Sequence, residues 1–266
     1  MPITSEVIRK SAQLPALVLI HGLGSAGNIW KSLFAGLEDS FTIYPIDLPG
    51  HGNSPLGDEA LDPHSLAQQI NHAMSTEHSV NEFHVAGNSL GGWIALELAA
   101  QFPDRIKSVT ALAPAGLWLK GPQQKMPPSM TARILAKISQ HFLKLAYHLP
   151  PLKALGYKKI THLWRQLSFE SCKDSVIAMA QSIGYMPMWR ALRFQKFDSA
   201  ISKNVPVSII FGDDDLTLPH PLAQEREIAP EHSEWIIIKN CAHVIMWNYP
   251  ELTVDYIKKT AFTHTG

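Results

Sequence analysis

The sequence predicts an α/β fold: a mostly parallel sheet with helices on both faces, interrupted by a helical insertion. Three observations carry this reading. Short apolar runs alternate with stretches of helical period, the runs are apolar throughout, and the alternation stops over one long internal stretch. The β-rich runs are residues 16–20, 41–46, 83–86, 109–112, 205–211 and 235–238. Unbroken apolarity is what a strand covered on both faces requires. Between the runs, residues 28–37, 64–77, 90–101, 219–228 and 250–262 read as helices.

The alternation breaks between about residues 115 and 204. Pro114, Gly116, Pro122, Pro127 and Pro128 open this stretch, and no strand-like run follows. Ile134, Ile138 and Phe142, with Leu135 and Leu145 beside them, predict one amphipathic helix. Residues 152–167, 171–183 and 188–197 add further helical pieces. The expected organisation is a core domain built from residues 1–114 and 205–266, with residues 115–204 as a helical lid over the sheet.

Composition limits the function classes. The chain has 266 residues, 45% hydrophobic and 17% charged, enough apolar surface for a core and against a disordered chain. Lys plus Arg equals Asp plus Glu at 23 each, which argues against a general nucleic-acid binder. Two cysteines, Cys172 and Cys241, cannot form a disulfide framework and suit a reducing compartment. Residues 1–13 lack the pattern of a signal peptide, and no apolar run is long enough to span a membrane. The expectation is a cytoplasmic protein.

The neutral total hides an asymmetry. Residues 115–204 hold 14 Lys/Arg and 3 Asp/Glu, a net +11, which leaves −11 on the remainder.

Gly22, Gly24 and Gly27 match the G-x-G-x-x-G dinucleotide fingerprint, and Asp47 stands where a ribose-binding acid would. Against this stands a more specific motif. Gly87-Asn88-Ser89-Leu90-Gly91-Gly92 follows an apolar run and leads into a helix, which is G-x-S-x-G in its strand–turn–helix setting. A nucleophile on so sharp a turn needs small neighbours, and three glycines supply them.

A serine hydroxyl needs a base, and the base needs an orienting acid. After the fifth long run come Asp213, Asp214 and Asp215, which all compete for the acid's role. Metal binding by these acids has no second acidic cluster or His pair in support. His243, just past the last run, is the candidate base, since its loop lies at the same sheet edge as Ser89.

These residues resemble the α/β-hydrolase superfamily. His21-Gly-Leu-Gly24 is similar to its oxyanion loop and Asp47-Leu-Pro-Gly-His-Gly-Asn-Ser54 to its second glycine-rich loop. Gly212-x-x-Asp215-x-x-x-Pro219 resembles its acid loop, and Ala242-His243 with Pro250-Glu251 beyond resembles its histidine loop. The resemblance selects Asp215 among the three acids. It implies that the Leu23 and Leu90 amides form an oxyanion hole and that Asp47 is a structural loop residue. No cofactor is then required.

Within the superfamily, Ser89 in place of an aspartate argues against dehalogenases and epoxide hydrolases. Asn88 with Ala113-Pro-Ala-Gly116 resembles carbon–carbon hydrolases of meta-cleavage products, but Leu23-Gly24-Ser25 and Val244 depart from them. Capped carboxylesterases, including those that demethylate acyl-carrier esters, are the nearer general resemblance. The implied function is a serine carboxylic ester hydrolase; a carbon–carbon hydrolase of a dienoate ketone and a non-catalytic ligand receptor are the alternatives. Asn88, Arg165, Arg190 and Arg193 are candidates for contacting substrate, the arginines by pairing with a carboxylate or phosphate. Met126, Met130, Met179, Met186 and Met188 are expected chiefly in lid packing. The basic lid also suits an acidic carrier protein or an anionic lipid surface, against the plain reading of solvated helix faces.

Overall fold

The computed structural model describes residues 3–5, 7–8 and 13–263. Its centre is a seven-stranded sheet of β1 (Thr4–Ser5), β2 (Ala16–Ile20), β3 (Thr42–Asp47), β4 (Phe83–Asn88), β5 (Ile106–Leu112), β6 (Val207–Gly212) and β7 (Glu234–Ile238), in the order β1-β3-β2-β4-β5-β6-β7. Only β1 is antiparallel, pairing Thr4 with Asp47 and Ser5 with Ile46. The remaining pairings are parallel, so the carboxyl ends of β2 to β7 share one edge. The six long strands match the apolar runs; β1 was not foreseen, being two residues in a segment without a run.

Burial follows from the composition of the strands. All residues of β2, β4 and β6 are buried, as both-sided apolarity requires. Helices α1 (Lys31–Leu37), α2 (Pro63–Thr76), α3 (Leu90–Gln101) and α10 (Pro250–Phe262) pack on the faces, with a 3₁₀ turn over Gly27–Trp30 ahead of α1. Asp62 caps α2 by accepting the Ser65 amide at 3.0 Å, and Pro63 occupies the first turn. Helix α3 is buried from Leu90 to Ala99, so it forms a central rod rather than an amphipathic cover.

Between β5 and β6 the chain leaves the sheet and forms five helices: α4 (Met130–Ser139), α5 (Leu143–His148), α6 (Pro150–Tyr157), α7 (Phe169–Gln181) and α8 (Tyr185–Leu192). The short helix α9 (Ile245–Asn248) follows β7.

Three expectations need correction here. The helix expected over 219–228 is a run of turns: the Glu225 amide bonds the Leu117 carbonyl at 2.9 Å instead of closing a helical turn, and Pro221 contributes no amide. The helix expected over 152–167 ends at Tyr157, because Lys153 Nζ donates to the carbonyls of Arg165 at 3.0 Å and Leu167 at 2.8 Å and folds the chain back. The single amphipathic helix breaks at a 3₁₀ turn over Gln140–Phe142, and its stripe does not face a core. On α4 the buried positions are Arg133 and Ala136, whereas Ile134, Ile138, Phe142 and Leu145 are exposed.

Candidate functional site

The sheet order reverses at β2: β3 lies on one side of it and β4 on the other. Crevices at such switch points, outside the carboxyl ends of parallel strands, are where α/β sheets hold ligands. The loops after β2 and β4 meet there. A Cβ on Gly22 would stand 3.1 Å from Ser89 Cβ, so the glycine is what allows the two loops to touch.

Ser89 sits between the last residue of β4 and the first of α3, at φ 58° and ψ −118°. A non-glycine residue there is strained, and the surroundings must hold it. They do so by close backbone approach. A side chain on Gly91 would collide with the Ile20 carbonyl, and one on Gly87 with the Gly91 carbonyl. The Ser89 amide bonds the Leu112 carbonyl at 2.9 Å, and its carbonyl accepts from Ala115 at 2.9 Å. Leu90 is the first residue of α3, where an amide has no carbonyl one turn back to bond. Leu23 lines the same cavity as Ser89 and Leu90.

His243 is in the loop after β7, and its Nδ1 lies 2.7 Å from Asp215 Oδ2. Asp215 Oδ1 accepts the amides of Thr217 and Leu218, both at 2.8 Å. Asp215 is 3% exposed, and burial pushes its carboxyl up; the charge and hydrogen bond of His243 and the two amides outweigh this and leave its pKa below the ordinary value. The neighbouring acids point elsewhere. Asp214 Oδ2 pairs with His162 Nε2 at 3.1 Å near the surface, and Asp213 Oδ1 accepts the Cys241 amide at 3.3 Å.

Two further histidines hold the glycine loop, and the sequence reading passed over them. The Leu48 amide donates to His21 Nε2 at 3.0 Å, and the Gly24 amide to His51 Nε2 at 3.2 Å. An amide can only donate, so each Nε2 is an acceptor and each ring carries its proton on Nδ1, facing the Gly22 and Pro49 carbonyls. Both rings are neutral: burial pulls His21 down to about 4, and burial, with the repulsion the two rings would feel if both were protonated, pulls His51 down to about 3. The signal available in the sequence was the pair of His-Gly steps, His21-Gly22 and His51-Gly52, at the ends of consecutive strands. Asp47, weighed as a ribose ligand, instead accepts the Gly27 amide at 2.7 Å and the Asn53 amide at 2.9 Å, closing its own loop.

The substrate-contact candidates fall differently. The Asn88 side-chain amide donates to the carbonyls of Leu112 at 3.1 Å and His243 at 3.3 Å, tying the end of β4 to the histidine loop. Arg165 is exposed and stacks on Trp164, with 4.2 Å to the ring centre. Arg193 lies over Phe194 and donates to the Gln123 carbonyl at 2.9 Å. Neither these two nor Arg190 borders the cavity that holds Ser89. Of the five methionines, only Met179 does, opposite Gly24; Met188 is packed in the core and Met126 is exposed.

That cavity measures about 600 Å³ and runs from Ser89, Leu90 and His243 up between α4, α5, α6 and α7, past Leu135, Phe142, Tyr157 and Val176. The helical insertion is stitched to the histidine loop. The Val244 amide bonds the Ile160 carbonyl at 2.9 Å, and Asn248 Oδ1 accepts the His162 amide at 2.9 Å and the Thr161 hydroxyl at 3.2 Å.

The chain is similar to known proteins over nearly its whole length. The chain is 24% identical over 265 residues to a pimeloyl-[acyl-carrier protein] methyl ester esterase of Aeromonas hydrophila, covering 96% of this chain and 98% of that one. Among solved structures, an enol-lactonase from Burkholderia xenovorans superposes with a TM-score of 0.75 at 17% identity, covering 98% of this chain and 96% of that chain. An esterase from Thermogutta terrifontis does so with a TM-score of 0.70 at 18% identity, covering 97% and 92%. The sequence profile of the alpha/beta hydrolase fold matches residues 15–250, and with most of its length matched the chain belongs to the alpha/beta hydrolase fold family.

Proposed function

We propose that the protein is a serine hydrolase that cleaves a carboxylic ester through an acyl-enzyme intermediate. The observation that carries the reading is the shared cavity: it holds Ser89, strained on its turn, and His243, whose Nδ1 is engaged by buried Asp215. In this reading Ser89 Oγ attacks the ester carbonyl while His243 Nε2 takes its proton. The Leu23 and Leu90 amides stabilise the negative oxygen that forms, a contribution of about 3–4 kcal/mol per donor in comparable sites. His243 returns the proton to the departing alcohol, and the acyl group stays on Ser89. Water then attacks the acyl carbonyl, with His243 again accepting and returning a proton, and the free acid leaves. Asp215 fixes the imidazole with its proton on Nδ1 and stabilises the imidazolium in both halves.

The residues between β5 and β6 act as the lid of this site. Their apolar inner side and the size of the cavity favour an extended acyl chain over a small acid. The Aeromonas hydrophila relative is named for an acyl-carrier ester, and an ester of an extended acyl chain is the substrate class we infer for this chain. The test is a screen of purified protein against methyl esters of short and long acids and a dienoate ketone. Turnover that rises with acyl length supports the reading. Cleavage of the ketone alone would establish the carbon–carbon alternative, and saturable ligand binding with no turnover would establish the receptor.

A further inference from the structure

The helices of the insertion expose what an ordinary surface helix buries. Ile138 is 54% exposed, Phe142 40% and Leu155 59%, and all three also line the cavity that holds Ser89. Being both exposed and part of its wall, they rim one opening of that cavity between α4, its following 3₁₀ turn and α6; Leu222, 76% exposed, also lies in the wall. Leu145, 59% exposed, and Leu149 carry the apolar surface onward along α5, and Ile134 lies one turn before Ile138. Scattered apolar residues are normal on a protein surface, but a patch gathered around a cavity mouth marks a contact.

The segment from α4 to α6 carries charge of one sign, whereas α7 beside it has Glu170 paired with Lys173 and Asp174 paired with Lys31. No Asp or Glu occurs anywhere between Asp104 and Glu170. Lys137 stands next to Ile138, Lys144 next to Leu145, and Lys158 and Lys159 just past α6, all of them exposed. Apolar side chains flanked by lysines are the composition of an element lying in a lipid–water interface, the apolar groups sinking below the headgroups and the ammonium groups meeting phosphate. Among the described residues no helix is long and apolar enough to cross a membrane, so the contact would be peripheral.

We propose that this face docks on an anionic phospholipid surface, with the cavity mouth turned toward the bilayer so that an ester's acyl chain passes from lipid into the site without crossing water. The second half of this statement rests on the ester hydrolase reading; the docking itself does not. An acidic protein would answer the lysines but would leave the half-exposed rim of Ile138, Phe142 and Leu155 without a reason to be apolar.

The test is flotation of the full chain with vesicles of phosphatidylcholine alone and of phosphatidylcholine with phosphatidylglycerol in equal parts, at low and high salt. Binding is expected only to the anionic vesicles and should weaken with salt. Lys137→Gln and Lys144→Gln should each reduce partitioning about fivefold. Ile134→Ser with Leu145→Ser, neither residue bordering the cavity, should reduce it about tenfold or more, with circular dichroism showing that the fold is kept. Ser89→Ala should lose turnover yet float like the wild type, which separates docking from hydrolysis: a wild type that floats but turns over no ester would count against the ester reading only. Absence of flotation, equal flotation with neutral vesicles, lysine and Ile134/Leu145 variants that float like the wild type, or salt-sensitive capture by an acidic carrier protein in place of vesicles would each overturn the docking proposal.

Discussion

Asp215 and Asp214 are adjacent in sequence yet face opposite ways: Asp215 Oδ2 lies 2.7 Å from His243 Nδ1, while Asp214 Oδ2 pairs with His162 outside the site. Asp215→Asn should therefore lower kcat by about 10⁴, since an amide favours the wrong imidazole tautomer while keeping the shape. Asp213→Asn and Asp214→Asn should stay within about tenfold of the parent, because exposed charges of this kind contribute little. Comparing kcat among the three variants decides the matter, and a greater loss at Asp213 would mean that the acid loop is misassigned.

Ser89→Ala should remove turnover down to the residual supplied by the oxyanion hole and binding, about 10³–10⁴ above the uncatalysed rate. A fluorophosphonate should label the parent at Ser89 alone, read by mass spectrometry of the digested adduct. A label on any other residue would contradict the assignment of the nucleophile.

Asn88 should behave as a positioning residue. Asn88→Ala leaves the His243 carbonyl without this donor, at about 1–3 kcal/mol for a buried group left unpaired, while the Leu112 carbonyl keeps the Ser89 amide. Asn88→Asp should be worse, since a carboxylate would face two carbonyl oxygens. Denaturation midpoints and kcat are expected to fall together in that order. A change in KM alone would instead indicate contact with substrate.

Stability should decline on mild acidification. Burial holds His21 at about 4 and His51 at about 3, and burial with the Lys107 charge holds His84 at about 4. In the unfolded chain all three titrate near about 6.5. Between those values the unfolded state binds more protons, so stability is complete above about pH 6.5 and is lost as pH falls toward about 4. Urea midpoints measured at neutral pH and at mildly acidic pH should differ clearly. His51→Gln, which can still accept the Gly24 amide, should reduce the difference; a midpoint that does not move with pH would argue that these rings are not buried and neutral.

The order of strands and helices in the sheet domain was legible because both-sided burial writes itself into a strand as unbroken apolarity, as in Ala-Leu-Val-Leu-Ile at β2. The elbow was legible because its sterics demand glycines at Gly87 and Gly91. The insertion was legible as a helical stretch between two strands, but its internal layout was not. Its helices are short, its stripe from Ile134 to Leu145 fits a core helix equally well, and only tertiary context shows that the stripe is left outside. Nor could periodicity reveal that the Glu225 amide would be taken by Leu117, which turned an expected helix into turns. The arginines were chosen by charge alone, and charge does not say which way a side chain points.

The hydrogen bond from Val244 to the Ile160 carbonyl, with Asn248 clasping Thr161 and His162, makes the histidine loop and the segment just past α6 a single mechanical piece. Anyone grafting a different insertion onto this scaffold must keep the 160–162 junction or redesign Asn248 with it. A chimaera that ignores this seam would move His243 along with the insertion. The same seam gives a route by which a ligand wedged among the insertion helices registers at His243, one residue from Val244, without touching it.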